Sequence, residues 1–194
     1  MSSLGRYSRN RLRRLISSVG SIRFRDEVGE VEYFGQQVVM LRRDAIRLIR
    51  EELMRVGGSS GRVIVLTAGH VSGREEGKAI LAIAKELGVR SPESLPVEVL
   101  VAVEETNMGF GKIRIDDVNT GTGTFKISVS NSFEVDRTDR SPKPGCLFIL
   151  SYLKGLFSQL TGKDLGGEEV ECGSMGDSGC KFTLSPRGHL SPQT

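Results

Sequence analysis

The chain has 194 residues and a formal charge of +3 at neutral pH, enough length for one domain that buries its own core without covalent cross-links. No run approaches the roughly eighteen apolar residues of a membrane helix, and the arginine-rich start does not resemble a secretory signal, so a cytoplasmic protein is expected. Its three cysteines are an odd number, which in that setting argues against a disulfide framework.

Arg6, Arg9, Arg11, Arg13, Arg14, Arg23 and Arg25 all precede the first acid, Asp26. Such a cluster can attract nucleic-acid phosphates or an anionic surface. No aromatic interleaving or nucleic-acid motif accompanies it, and a solvated amphipathic helix with Leu12, Leu15, Ile16 and Val19 on its apolar side is favoured instead. The alternating stretch around Gly29 predicts two short strands or a strand pair. From Arg43 to Val56 the period becomes helical, with Ala45, Ile46, Ile49, Leu53 and Val56 on one stripe and Asp44 near the start. Gly57 to Gly61, "GGSSG", predicts a linker-like turn.

Residues 62–67 are dominated by β-branched side chains and read locally as a strand. Gly69, Gly73 and Gly77 fall four apart, however, and on a helix would form a groove for a second backbone, so a helix from about Val71 to Leu87 is favoured. "PVEVLVAVEE", "FGKIRIDDV" and "GTFKISVSNSFEV" predict antiparallel strands. "CLFILSYLKGLFSQLTG" predicts a helix whose apolar face holds Phe148, Ile149, Tyr152, Leu153, Leu156, Phe157 and Leu160. "EEVEC" and "GCKFTLSP" predict a hairpin joined by "GSMGDSG". The sum is an α+β domain, an antiparallel sheet packed with helices, followed by a loose tail from residue 187.

The cysteines gather in the C-terminal part. Cys172 and Cys180 flank the hairpin connection, and Cys146 opens the preceding helix, where the N-terminal partial charge favours a thiolate. Thiolates are strong zinc ligands, but spacing alone leaves three readings open: a metal site, three small core side chains, or a Cys172–Cys180 disulfide. A fourth ligand is not cysteine. Strict strand alternation would put Glu168, rather than Glu169 or Glu171, on the face of Cys172 unless a bulge intervenes.

"GFGKIRI", "SVSNSFEV" and the run from Cys146 to Phe182 resemble the 4-vinyl-reductase domain family, over a stretch from about Val38 to Leu184. The resemblance implies an α/β sandwich shared with subunits of the eukaryotic vesicle-tethering complex, a domain spanning 38–186 after a basic extension of 1–37, a homodimer, and an apolar pocket. In the phenol-sensing branch of the family, three cysteines and one glutamate hold zinc. That pattern carries onto Cys146, Glu169, Cys172 and Cys180, and four such ligands leave no open position, so the zinc is expected to be structural. Backbone donors of "GSMGDSG" or Lys181 are expected to offset the negative charge.

The sequence departs from the phenol sensors in lacking tryptophan and in offering only His70, expected near a helix start, and His189 as histidines; phenol specificity does not transfer. Candidate pocket residues are Phe110, Phe125, Phe133, Tyr152 and Phe157, which suit a hydrophobic or aromatic molecule, a hydrocarbon included. The leading function is therefore a small-molecule-binding sensor or regulatory domain. An enzyme or accessory in tetrapyrrole vinyl reduction is the alternative, disfavoured because "GSSG" and "GFG" lack a dinucleotide-binding context and no nucleophile or acid pair is evident. A purely structural dimerisation module is the third reading.

Overall fold

The structure, a computed structural model, describes residues 22–33, 35–86, 99–100, 103–104, 109–119, 121–136 and 140–188. The amphipathic segment around Leu12, the arginines from Arg6 to Arg14, and His189 lie outside the described residues.

Strands β1 (Arg23–Arg25), β2 (Glu30–Tyr33) and β3 (Gln36–Val38) form a small antiparallel sheet. Helix α1 (Arg43–Glu86) follows, then β4 (Lys112–Asn119), β5 (Thr124–Ser130), helix α2 (Leu147–Thr161), β6 (Leu165–Glu171) and β7 (Cys180–Pro186). The last four strands make an antiparallel sheet in the order β4-β5-β7-β6. The α+β class expected from the sequence is what the chain adopts.

Three local expectations are overturned. "GGSSG" is no linker: helix continues through it with one non-helical residue, Gly58, at φ 50° and ψ −120°. That left-handed dihedral suits glycine and breaks the helix direction without ending it. Residues 62–67 are helical rather than a strand, because the same helix must carry Gly69, Gly73 and Gly77 to α2, and weak β propensity yields to that packing. In "PVEVLVAVEE", residues 99, 100, 103 and 104 are helical, and Val99 and Val103, four apart, are both buried. The remainder of that segment lies outside the described residues. Nor is the predicted stripe of the first half of α1 a buried one: Ile49 is 53% and Val56 75% exposed.

The main sheet turns one face to the core. Phe125, Ile127 and Val129 of β5 and Cys180, Phe182 and Leu184 of β7 are buried, while Lys126, Ser130 and Lys181 are exposed. Against them lies α2, with Ile149, Tyr152, Leu153, Leu156, Phe157 and Leu160 all buried. It ends at Gly162, whose φ of 68° is a left-handed cap.

On the other flank of α2 the two helix backbones nearly touch. A Cβ on Gly69 would run into the Phe148 carbonyl oxygen, and one on Gly73 into the Tyr152 carbonyl oxygen and, at 2.8 Å, the Leu156 nitrogen. One on Gly77 would meet Gln159 Cβ at 2.8 Å, and one on Gly155 would strike the His70 carbonyl oxygen. The Ser151 hydroxyl donates across the seam to the Leu66 carbonyl oxygen at 2.6 Å. His70 is thus placed in mid-helix, not near a helix start, and burial followed by Arg74 and Lys154 holds its pKa below the ordinary value.

Gly73→Ala should therefore cost about 1–3 kcal/mol through overpacking, whereas Gly57→Ala, with nothing within 4 Å of its new methyl group, should stabilise by up to about 1 kcal/mol. Urea denaturation of the two variants measures both; equal effects would contradict the close helix crossing.

Candidate metal centre

Strand β6 would carry Glu169 and Cys172 on opposite faces if its pleat were regular. Its pairing with β7 shifts between Glu169 (opposite Phe182) and Glu171 (opposite Lys181), leaving Val170 as an extra residue that is 51% exposed. This bulge resets the alternation, so that Glu169 comes to the side of Cys172. The strict-alternation choice, Glu168, is exposed on the other face. Glu171 bonds Lys181 at 2.9 Å in an exposed pair. Lys181 thus neutralises Glu171 and does not offset the cysteine cluster.

Cys180 begins β7 on its core face, paired with Val129. Cys172 precedes the tight turn Gly173–Met175, and its backbone is pinned by a bond from its N–H to Asp177 Oδ2 at 2.8 Å. Cys146 stands at the N-terminus of α2. All three thiols are buried and free, and the ligand atoms of Cys146, Glu169, Cys172 and Cys180 lie within 4.8 Å of one another. The Cys146 and Cys180 sulfurs are 3.4 Å apart. Tetrahedral zinc with Zn–S near 2.3 Å requires sulfurs about 3.8 Å apart, so these separations fit a common centre.

The chemistry of the cluster fits a cation as well. Glu169 Oε2 accepts the Cys146 N–H at 2.9 Å, while its buried Oε1 meets no hydrogen-bond partner among the described residues. A buried carboxylate oxygen without a donor is costly unless a positive centre faces it. With no cation, crowding is felt by the thiols: the Cys146 thiol, donating to the Cys180 sulfur and buried, is pushed up, and the Cys180 thiol is pulled down by the same bond. Burial raises the Cys172 thiol, against the backbone groups of Gly145 and Ser174. The Gly173 N–H reaches Cys180 Sγ at 3.5 Å, and the Ser132 hydroxyl is 3.5 Å from Cys146 Sγ. These are donors that stabilise thiolates.

Several supporting residues carried no sequence signal strong enough to single them out. Glu134, with its side chain fully buried, accepts the Phe148 N–H at 3.1 Å and the Ile149 N–H at 2.8 Å, satisfying two orphan amides of α2. Arg50 of α1 approaches Glu134 Oε1 at 3.3 Å and donates to the Gly145 carbonyl oxygen at 3.2 Å. Earlier on the same helix, Arg43 donates to the Ser132 carbonyl oxygen. An acid on a strand exit and arginines at helical spacing were legible, but their meeting is tertiary.

Next to Cys180 lies a partly open cleft of about 250 Å³ lined by Arg43, Val129, Asn131, Ser132, Val135, Gly173 and Gly179. Its lining is mixed rather than apolar. The five candidate pocket aromatics divide into two groups. Phe110, Phe133 and Tyr152, joined by Phe148, form one cluster with ring centroids 5.2–5.6 Å apart. Phe125 and Phe157 stack on each other at 4.6 Å between sheet and α2.

Residues 125–186 match the model of the vinyl-4-reductase domain. That segment holds the three cysteines and Glu169, and the resemblance to the 4-vinyl-reductase family stands. The chain is 28% identical over 74 residues to the bacteriochlorophyll synthase 23 kDa chain of Rhodobacter capsulatus, a match spanning 35% of this chain and only 35% of that relative. Among solved structures, the phenol-responsive sensory domain of the transcription activator PoxR, solved with phenol, superimposes over 96% of this chain and 92% of that one, with a TM-score of 0.74 and 21% identity. A trafficking protein particle complex subunit 3 from Naegleria fowleri, covalently bound to palmitic acid, covers 77% of this chain and 97% of that one with a TM-score of 0.50 and 11% identity. At these identities the likeness is one of fold.

Replacing Arg50 with methionine should destabilise the protein by about 2–4 kcal/mol, because the Glu134 carboxylate stays buried while losing its cation. Chemical denaturation reads the loss; an unchanged midpoint would show that the two α2 amides alone satisfy Glu134.

Proposed function

We propose that this chain is a small-molecule-binding module of the sensor type, cytoplasmic, in which a structural zinc ion held by Cys146, Glu169, Cys172 and Cys180 fixes one wall of a hydrophobic ligand site. The observation that carries this reading is the convergence of those four ligand atoms at the start of the helix that also supplies Phe148 and Tyr152 to the aromatic cluster. Bound zinc would join α2 to the β6–β7 hairpin and contribute folding free energy. Cys146, Cys172 and Cys180 would act as thiolates, Glu169 as the single carboxylate, and the donors from Gly173 and Ser132 would spread the negative charge. A closed shell of four protein ligands offers no water position, so its part is to hold rather than to react.

The ligand favoured is aromatic or aliphatic and of modest size, since the cluster supplies ring faces and edges and few polar atoms. A homodimer is part of the same reading. Leu48, Ile49, Val56, Val63, Ile64 and Val71 of α1 are each more than half exposed, and a second copy of the chain would cover them. No described helix is long and apolar enough to cross a membrane. The likeness to the bacteriochlorophyll synthase chain favours one second reading, a part in tetrapyrrole chemistry; NADPH consumption with a vinyl tetrapyrrole would establish it and displace the sensor reading.

Elemental analysis of the purified protein should give about one zinc per chain. Cys172→Ser should lose the metal and lower the melting temperature, while Glu171→Ala should retain it; full zinc in Cys172→Ser would refute the ligand set. Native mass spectrometry of the protein taken from its own cells should show two chains, two zinc ions and the added mass of a bound organic molecule. Monomers free of any small molecule would remove both the dimer and the sensor.

A further inference from the structure

Glu76 lies on α1 between Gly73 and Gly77, the two glycines that press this helix onto α2. It is only 4% exposed, and its Oε1 is buried without a hydrogen-bond partner among the described residues. Burial pushes its carboxyl up to about 7. Because a Cβ on Gly73 would collide with the Tyr152 carbonyl oxygen, α1 cannot roll or slide here to carry Glu76 to solvent without opening the crossing. Its charge is felt at the Tyr152 phenol, as is that of Tyr33 from β2, and both act with burial to raise that phenol. Gln36 of β3 donates to the Glu75 carbonyl oxygen at 3.3 Å, which lays the small sheet over this part of α1. Three oxygen-bearing side chains thus converge at one end of a group whose other members, Phe110, Phe133 and Phe148, are aromatic hydrocarbon.

An unpaired buried carboxyl costs stability that a methionine or leucine in its place would not. Such a group is satisfied when a donor arrives, and an amine would add attraction to the surrounding ring faces. We propose that Glu76, with the Tyr152 hydroxyl beside it, forms the polar end of the ligand site, and that it selects apolar, aromatic-sized molecules carrying an N–H or O–H donor. This rests on the small-molecule reading of the chain and adds to it the chemical class of the ligand and the residue that reads it.

Calorimetric titration of the full zinc-loaded chain with phenethylamine, phenethyl alcohol and ethylbenzene tests the assignment. The two donors should bind at least about tenfold more tightly than ethylbenzene. Glu76→Met should bring them down to the ethylbenzene level while ethylbenzene binding and zinc content persist. Ligand-free Glu76→Met should also melt about 2–4 °C above the unmodified protein, the signature of an unpaired group placed for binding rather than for stability. An advantage of the amine alone would identify a cationic ligand, and an equal advantage of the alcohol a neutral one; either supports Glu76 as the reader. Should Glu76→Met fail to fold, Glu76→Gln keeps the shape, and in it the amine should lose its advantage over the alcohol. Ethylbenzene binding as well as the donors, or a donor preference surviving Glu76→Met, would overturn the role of Glu76 while leaving the ligand site. Binding of none of the three would bring down the small-molecule reading itself.

Discussion

The first turn of α2 presents backbone amides that no intrahelical carbonyl can reach, and buried carboxylates from two different segments meet them. Glu134, leaving the β5 edge of the sheet, takes the Phe148 and Ile149 amides, and Glu169, from β6, takes that of Cys146. Each carboxylate is costly to bury and each is anchored by the positive end of the helix. The remaining acceptor capacity then differs. Glu134 has Arg50 beside it, whereas Glu169 keeps an oxygen with no donor among the described residues, turned into a nest of three thiols. One carboxylate is completed by the protein, and the other has the valence pattern of a metal ligand.

From that turn the rest of the molecule is positioned. The residues before α2 are held to α1 by Arg50, and the loop after β5 by Arg43 and Arg50 together. Along its length α2 is clamped between the sheet, through Phe157 on Phe125, and α1, through the reciprocal contacts of Gly73 with Tyr152 and Gly155 with His70. Tyr152 is consequently fixed on both its main chain and its ring. The loop sequence "NSFEV" serves three neighbours at once: Ser132 approaches the Cys146 sulfur, Phe133 the aromatic cluster and Glu134 the helix start. A rigid frame of this kind suits recognition better than reaction, since neither the cysteine cluster nor the aromatic group offers an open, activated nucleophile.

Legibility in the sequence followed the range of the interaction. Strands β4, β5, β6 and β7 and helix α2 declare themselves by period and turn residues, and the four-residue spacing of Gly69, Gly73 and Gly77 announced a close helix crossing. The error at residues 62–67 came from trusting β-branched propensity where a helix is held in place by a partner; Val65 is buried while Val63 and Ile64 face outward. "GGSSG" carries the composition of a linker, yet only Gly58 departs from helical dihedrals. The division of the aromatic residues into two groups was equally invisible, because ring-to-ring contact depends on which strand lies opposite which turn of helix.

By itself, the sequence determined an α+β chain with antiparallel strands, a short list of thiols and acids able to bind a metal, and an interior richer in phenylalanine than in polar side chains. Those properties are additive over residues and short periods. Tertiary structure alone decided that Glu169 and not Glu168 meets the cysteines, because a single extra residue at Val170 inverts the strand's alternation. It also decided that Glu134 is paired while Glu76 is not, because a partner is a matter of position in space and no local pattern encodes it.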